Sequence, residues 1–222
     1  GTNEATRDQV RRNLIVRHSH HPKFGLDRGL KYNDVKFGTL SPEDEQVLKA
    51  VLQDLRSNKE HGHMFVFQIP YKASIDYVAD IISRQSRLYT IDLVTIDYLG
   101  LMTETRRTQR REELDDVIRM SKRLAVDMDL PMLSPWQISR EAWLTAAKTK
   151  SYTKASLSET SQAEKSTDVI VSVLKLDDQP NMLKCQILKN RDGEAGGEFE
   201  LETDHPTSLI TNVRQHASLL EL

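Results

Sequence analysis

Alternation constrains this chain more than any other property. Over its first two thirds, short apolar runs alternate with longer stretches whose apolar residues recur at helical spacing. Strand-like runs cover residues 63–69, 93–97 and 130–134. Between them, Ile75, Val78, Ala79 and Ile82 mark one helix, and Leu114, Val117, Ile118, Ser121, Leu124, Ala125 and Met128 form the stripe of a longer one. Two helices precede the first of these strands. Thr6-Arg7-Asp8-Gln9 has the form of a capping box opening a helix over 6–20, with Val10 and Leu14 inward, and Pro22 stops it. A Gly-rich charged loop follows. Ser41-Pro42-Glu43-Asp44 then starts a helix carrying Val47, Leu48, Val51, Leu52 and Leu55. Such alternation predicts an α/β domain with a mostly parallel, twisted sheet flanked by helices. Right-handed crossovers bring the strand ends, and the loops after them, to one edge of that sheet, where function is expected. Residues 141–167 are polar with little periodicity. Strands over 169–174, 182–188 and 199–202 close the chain, the last two as an antiparallel hairpin.

Four short segments carry chemistry. Leu93-Val94-Thr95-Ile96-Asp97-Tyr98-Leu99-Gly100-Leu101-Met102 is an apolar strand ending in a carboxylate, which suits holding the water shell of a Mg²⁺ on nucleotide phosphates. Apolar strands ending in Asp are common, so that pattern alone is weak. In Leu130-Pro131-Met132-Leu133-Ser134-Pro135-Trp136-Gln137-Ile138-Ser139-Arg140, a neutral amide follows the next strand. Lys189-Asn190-Arg191-Asp192-Gly193, read by itself, is a turn. The opening Thr2-Asn3-Glu4 places an acid just before a capped helix.

Taken together, the order and spacing of these segments resemble the C-terminal motor domain of DnaB-like replicative DNA helicases, along nearly the whole chain. Ile-Asp-Tyr-Leu-x-Leu-Met is similar to that family's Walker B run, and Gln137 with Arg140 matches its strand-end glutamine and following arginine. Glu164 and Asp168 resemble its acidic segment. Phe67-Gln68-Ile69-Pro70 resembles a strand end that usually carries Asp where this chain has Gln68. The resemblance implies a RecA-like fold and ATP with Mg²⁺ as cofactors. It makes Asp97 the Mg²⁺ residue, acting through water. Glu4 is the general base that polarises the attacking water, and Gln137 is the γ-phosphate sensor. Lys189 and Arg191 reach a neighbouring subunit's nucleotide, Arg191 as the finger on developing charge. It further implies a homo-oligomeric, hexameric ring on single-stranded DNA, with a primase or helicase loader as further partner. Loops after Asp97 and after Gln137 are then expected to face DNA, through Arg106, Arg107, Arg110 and Arg111 on one, and Arg140, Lys148, Lys150 and Lys154 on the other. Solvated charge on the loops is the plainer reading of the same residues, and the arginines equally suit support of an adjacent subunit. Tyr152 is a candidate for stacking on a base.

A P-loop needs Gly-Lys followed by Ser or Thr, and no Gly here is followed by Lys. Residues 1–222 therefore read as a single motor domain, incomplete at its N-terminus, with that loop expected upstream and the chain alone expected to be inactive. A regulatory RecA-like or KaiC-like protein, or a scaffold that keeps only a ring interface, is the rival reading. Composition narrows the rest. A net charge of −2 confines any DNA site to a local patch. The single cysteine, Cys185, forms no internal disulfide, and no apolar run approaches the roughly 20 residues of a membrane span, so the expected compartment is the cytoplasm. His18, His20 and His21 look like a metal cluster, but nothing in their spacing supports one, and they read as a solvated loop.

Overall fold

The computed structural model describes residues 2, 5–58, 60–103, 109–153, 156, 161–176 and 179–213. The capping box forms as the sequence predicts. Thr6 Oγ1 accepts from the Gln9 amide, the Gln9 side chain accepts from the Thr6 amide, and helix α1 runs Arg7–His18. Its inward face differs from expectation. Val16 and Ser19 are buried while Leu14 is 37% exposed, because α1 turns its last turn, not its middle, toward the loop that follows. Ser19 Oγ accepts from the Leu30 amide there. The Gly-rich segment is not all loop: Tyr32–Phe37 forms a short helix, α2, closed by Gly38 in the left-handed conformation. Helix α3, Pro42–Ser57, opens with Ser41 accepting from the Asp44 amide, and buries Val51.

Helix α4, Ile75–Ser86, and helix α5, Arg110–Asp127, supply one side of the main core. Ile75, Val78 and Ile82 of α4 and Val117 of α5 pack with Ile69, Ala73, Ile96 and Met102. Burying one such aliphatic side chain contributes about 1.5–3 kcal/mol. The parallel strands that this core supports are very short. Strand β1, Val94–Thr95, pairs in parallel with β2, Met132–Leu133, in the register Val94↔Met132 and Thr95↔Leu133. Beyond β1, Asp97 bridges in parallel to Thr2, and Thr2 bridges in parallel to Gln68. The lateral order is therefore Gln68, Thr2, β1, β2. Residues 93–97 are less buried than a sheet covered on both faces requires: Ile96 is buried, whereas Leu93 is 55% exposed.

The C-terminal hairpin is the centre of something larger. Strands β3, Val169–Leu176, β4, Gln179–Asn190, β5, Glu198–Asp204, and β6, Leu209–Asn212, form an antiparallel sheet in sequence order. Residues 141–167, read as aperiodic, contain most of helix α6, Arg140–Thr149, and the short α7, Ser161–Ser166. Ser139 caps α6 by accepting from the Ala142 amide. Ala146, near its end, is buried with Tyr152, Leu174 and Leu176. Tyr152 is thus a core residue, 5% exposed, and its ring is not available to stack on a base. No helix among the described residues is long and apolar enough to cross a membrane.

Candidate functional site

Asp97 stands at the carboxyl end of the β1 run, half-buried, beside Thr2 on one flank and the end of β2 on the other. The Ile96 amide donates to the Leu133 carbonyl (2.9 Å), so the strands leading to Asp97 and to Gln137 are direct neighbours. Among the described residues the Asp97 carboxylate makes no hydrogen bond or ion pair. The chain after it is tightly braced. Ser134, the residue after β2, accepts the Leu99 amide at 3.1 Å through its hydroxyl. Gly100 lets the Tyr98 ring fold back, because a Cβ at that position would stand 2.5 Å from it. The Asp97–Tyr98 peptide is cis.

Thr2 is buried between Gln68 and Asp97. Its amide donates to the Phe67 carbonyl (2.9 Å), its carbonyl accepts from the Ile69 amide (2.8 Å), and its hydroxyl accepts from the Ala5 amide (3.0 Å). Gln68 Nε2 also donates to the Thr2 carbonyl at 3.2 Å. An aspartate at 68 has no hydrogen to give that carbonyl, so the departure at Gln68 has a local use. Glu4, Arg106, Arg107 and Lys154 lie outside the described residues.

Arg110 is engaged within its own chain. Its guanidinium donates to the carbonyls of Met102 (3.2 Å) and Gly100 and pairs with Glu113 at 2.5 Å. Glu113 also accepts from the Thr103 hydroxyl. Arg110 therefore closes the loop after Asp97 onto the first turn of α5. Gln137 and Arg140 are exposed, Arg140 as the first residue of α6. Lys148 and Lys150 are exposed at the far end of that helix, Lys150 as its left-handed cap.

The two cationic residues of the β4 end meet the acidic segment, which lies more than twenty residues before them in the chain. Lys189 Nζ donates to the carbonyls of Glu164 (2.5 Å) and Thr167 (2.8 Å). Arg191 pairs with Asp168 (2.7 Å) and donates to the Lys165 carbonyl (3.2 Å), and the Arg191 amide donates to the Asp168 carbonyl (2.9 Å). Lys122 of α5 reaches the other Asp168 oxygen at 2.5 Å. The hydrogen bond from Lys122, with the nearby charges of Arg191 and Lys189, holds the Asp168 carboxyl below its ordinary range. This overhang exists because β4 pairs with β3 as far as Asn190, whereas its contact toward β5 ends at Ile187. There Gly196, at φ +92°, donates to the Ile187 carbonyl (2.7 Å).

Sequence reading missed Gln186. It is buried in β4, where Oε1 accepts from the Tyr152 amide (3.0 Å), and Nε2 donates to Ser151 Oγ (3.0 Å) and Glu198 Oε1 (2.5 Å). A polar residue at an inward strand position was the available signal. Gln186 joins the chain just after α6 to the same strand that carries Lys189.

Comparison with known proteins decides the family. The sequence profile of the DnaB-like helicase C terminal domain matches residues 21–210. The chain belongs to the DnaB-like helicase C-terminal domain family. A probable plasmid replicative DNA helicase of Chlamydia muridarum (strain MoPn / Nigg) is 25% identical over 193 residues, which is 84% of this chain and 40% of that protein. One from Chlamydia trachomatis is 29% identical over 123 residues, 53% of this chain and 26% of that protein. This DnaB-like chain thus spans well under half the length of these relatives. Its fold superposes on a solved ATPase domain with a TM-score of 0.80 at 19% identity, covering 96% of this chain and 72% of that one. It superposes on a DnaB-like replicative helicase described with its interactions with primase at 0.76 and 20% identity, covering 96% and 49%. The architecture is accordingly that of a RecA-like ATPase domain.

Proposed function

We propose that this DnaB-like domain is part of an ATP-dependent replicative DNA helicase motor that translocates on single-stranded DNA as a ring, with each ATP site shared between subunits. The observation that carries the reading is the position of Asp97. Asp97 stands at the end of β1, bridged in parallel to Thr2 on one side and next to β2, the strand before Gln137, on the other. In that arrangement Asp97 orients the water shell of a phosphate-bound Mg²⁺, Glu4 polarises the attacking water, and Gln137 senses the γ-phosphate. ATP and Mg²⁺ are the cofactors of the complete protein. The phosphate cradle comes from a Gly-Lys-Ser/Thr segment that residues 1–222 do not contain, so this chain by itself is inactive.

Lys189 and Arg191 act on the nucleotide of the adjacent subunit, with Arg191 stabilising charge in the transition state. Their hold on residues 164–168 supports this role, since a finger must be fixed before it meets phosphate. DNA is gripped without sequence reading by Arg140, Lys148, Lys150 and Lys154, with Arg106 and Arg107 on the other loop. Arg110 holds its loop in shape. A primase or loader is the expected additional partner. The test is ATP hydrolysis by the full-length protein with and without single-stranded DNA. Marked stimulation is expected; its absence favours the regulatory RecA-like alternative. Titration of the 222-residue chain with ATP should show no tight binding, and micromolar binding would contradict the need for an added phosphate loop.

A further inference from the structure

Two side chains at and after the end of α3 meet a third from the end of α1. His18 lies in the last turn of α1, Asp54 in the last turn of α3, and His61 in the chain that leaves α3. His18 Nε2 is 2.6 Å and His61 Nε2 2.9 Å from the same Asp54 oxygen, Oδ2. One donor atom from each residue lies within 4.8 Å of the others. We infer that His18, Asp54 and His61 form a binding site for a first-row divalent transition ion, Zn²⁺ in the first instance.

The donor set favours that class. Two imidazole nitrogens and one carboxylate oxygen suit Zn²⁺ and its neighbours better than Mg²⁺ or Ca²⁺, which prefer oxygen alone. Three protein ligands leave a fourth position for water. Around a tetrahedral ion with bonds of about 2.0–2.1 Å, donor atoms stand about 3.3 Å apart. The His18 and His61 separations from Oδ2 therefore need to open by about 0.7 and about 0.4 Å, a rotamer-scale adjustment. Each neutral ring binds through Nε2 and keeps its proton on Nδ1; a ring that starts as imidazolium releases its extra proton to solvent.

The surroundings already orient the ligands. Asn58 Nδ2 donates to the other Asp54 oxygen at 3.3 Å, aiming Oδ2 at the rings. The Phe24 ring meets His18 edge-on at 5.4 Å, and the His18 and His61 rings are nearly perpendicular at 4.9 Å. One competitor is present: Lys23 Nζ lies 2.5 Å from Oδ2. Its side chain, one-third exposed and also over the Phe24 ring, has to swing out when an ion arrives. The other histidines of the N-terminal loop are committed elsewhere. His20 accepts from the Gly29 amide through Nδ1 and lies 3.2 Å from the Thr207 carbonyl through Nε2, and His21 Nδ1 accepts from the Lys23 amide.

The experiment is calorimetric titration of the metal-free chain with Zn²⁺, repeated with Co²⁺ while its ligand-field absorption is followed. One equivalent is expected to bind in the micromolar range or tighter. His18→Ala, His61→Ala and Asp54→Asn should each weaken binding by about tenfold or more. His21→Ala and His63→Ala should leave it unchanged. Lys23→Gln, a surface change that spares the ligands, should tighten it by removing the competing ammonium. Zn²⁺ binding weaker than about 100 µM in the unaltered chain, equal affinity in the His61→Ala chain, or a Lys23→Gln titration that does not move overturns the assignment. Because Lys23→Gln keeps every ligand, that last arm decides even if a ligand variant fails to fold.

Discussion

The parallel and antiparallel parts of the molecule hold their functional side chains in opposite ways. In the parallel part, Asp97 and Gln137 follow two-residue strands, and among the described residues neither side chain has a hydrogen-bond partner. The backbone around Asp97 is fixed instead, by Thr2, Ser134 and the Arg110 clamp. In the antiparallel part the side chains themselves are tied. Lys189, Arg191 and Gln186 each make two or more bonds within the chain. The first arrangement leaves polar side chains without partners among the described residues, on a braced backbone. In the second, β4 joins the segment after α6, through Gln186, to the Lys189–Arg191 end.

The contrast is most sharply tested at Arg191. In the complete protein, Arg191→Ala should lower ATP turnover by on the order of 10³-fold while sparing nucleotide binding, because a finger stabilises mainly the transition state. Mixing it with Glu4→Gln protein should recover part of the activity; no recovery removes the role in trans. Asp97→Asn should cost about 10²–10³-fold in kcat with little change in melting temperature, since no partner among the described residues is lost. A large fall in melting temperature would instead make Asp97 a structural residue. Ile96→Ala, one position earlier and buried in the main core, should destabilise by about 2–5 kcal/mol in a denaturant titration. Val171→Ala on the exposed face of β3 should stay within about 0.5 kcal/mol.

A further small effect concerns Asp168. Its carboxyl is held low by Lys122 and Arg191, so its contribution is present above the unfolded carboxylate pKa and is lost as pH falls through the lower folded value. The stability difference between the unaltered chain and Asp168→Asn should thus shrink on acidification below about pH 4. The pair is nearly half exposed, which limits the difference at neutral pH to about 1 kcal/mol or less. A difference that grows toward acid would mean the carboxylate is not stabilised by its cations.

Much of the local structure was legible because it depends on neighbours in sequence. Thr6 with Gln9, Ser41 before Pro42, and the α4 and α5 stripes all formed where their spacing required. Helix α6 was missed because its stripe is weak: Trp143 and Leu144 are nearly half exposed, and Ala146 alone is buried. Tyr152 was misjudged because a tyrosine in a polar stretch carries no mark of the core that covers it. For the candidate site, Asp97 was visible as the end of an apolar run, while the bracing by Ser134 and Arg110 was not.

Sequence alone determined the order of elements, their caps, and the chemical groups placed at strand ends, since these follow from periodicity and from bonds spanning a few residues. Tertiary structure decided which distant groups meet. It set Thr2 between Gln68 and Asp97, joined Lys189 and Arg191 to residues 164–168, and brought His61 to His18 instead of His20 or His21. Such meetings depend on how whole faces pack, and burial of an apolar face is non-directional until every element competing for it is in place.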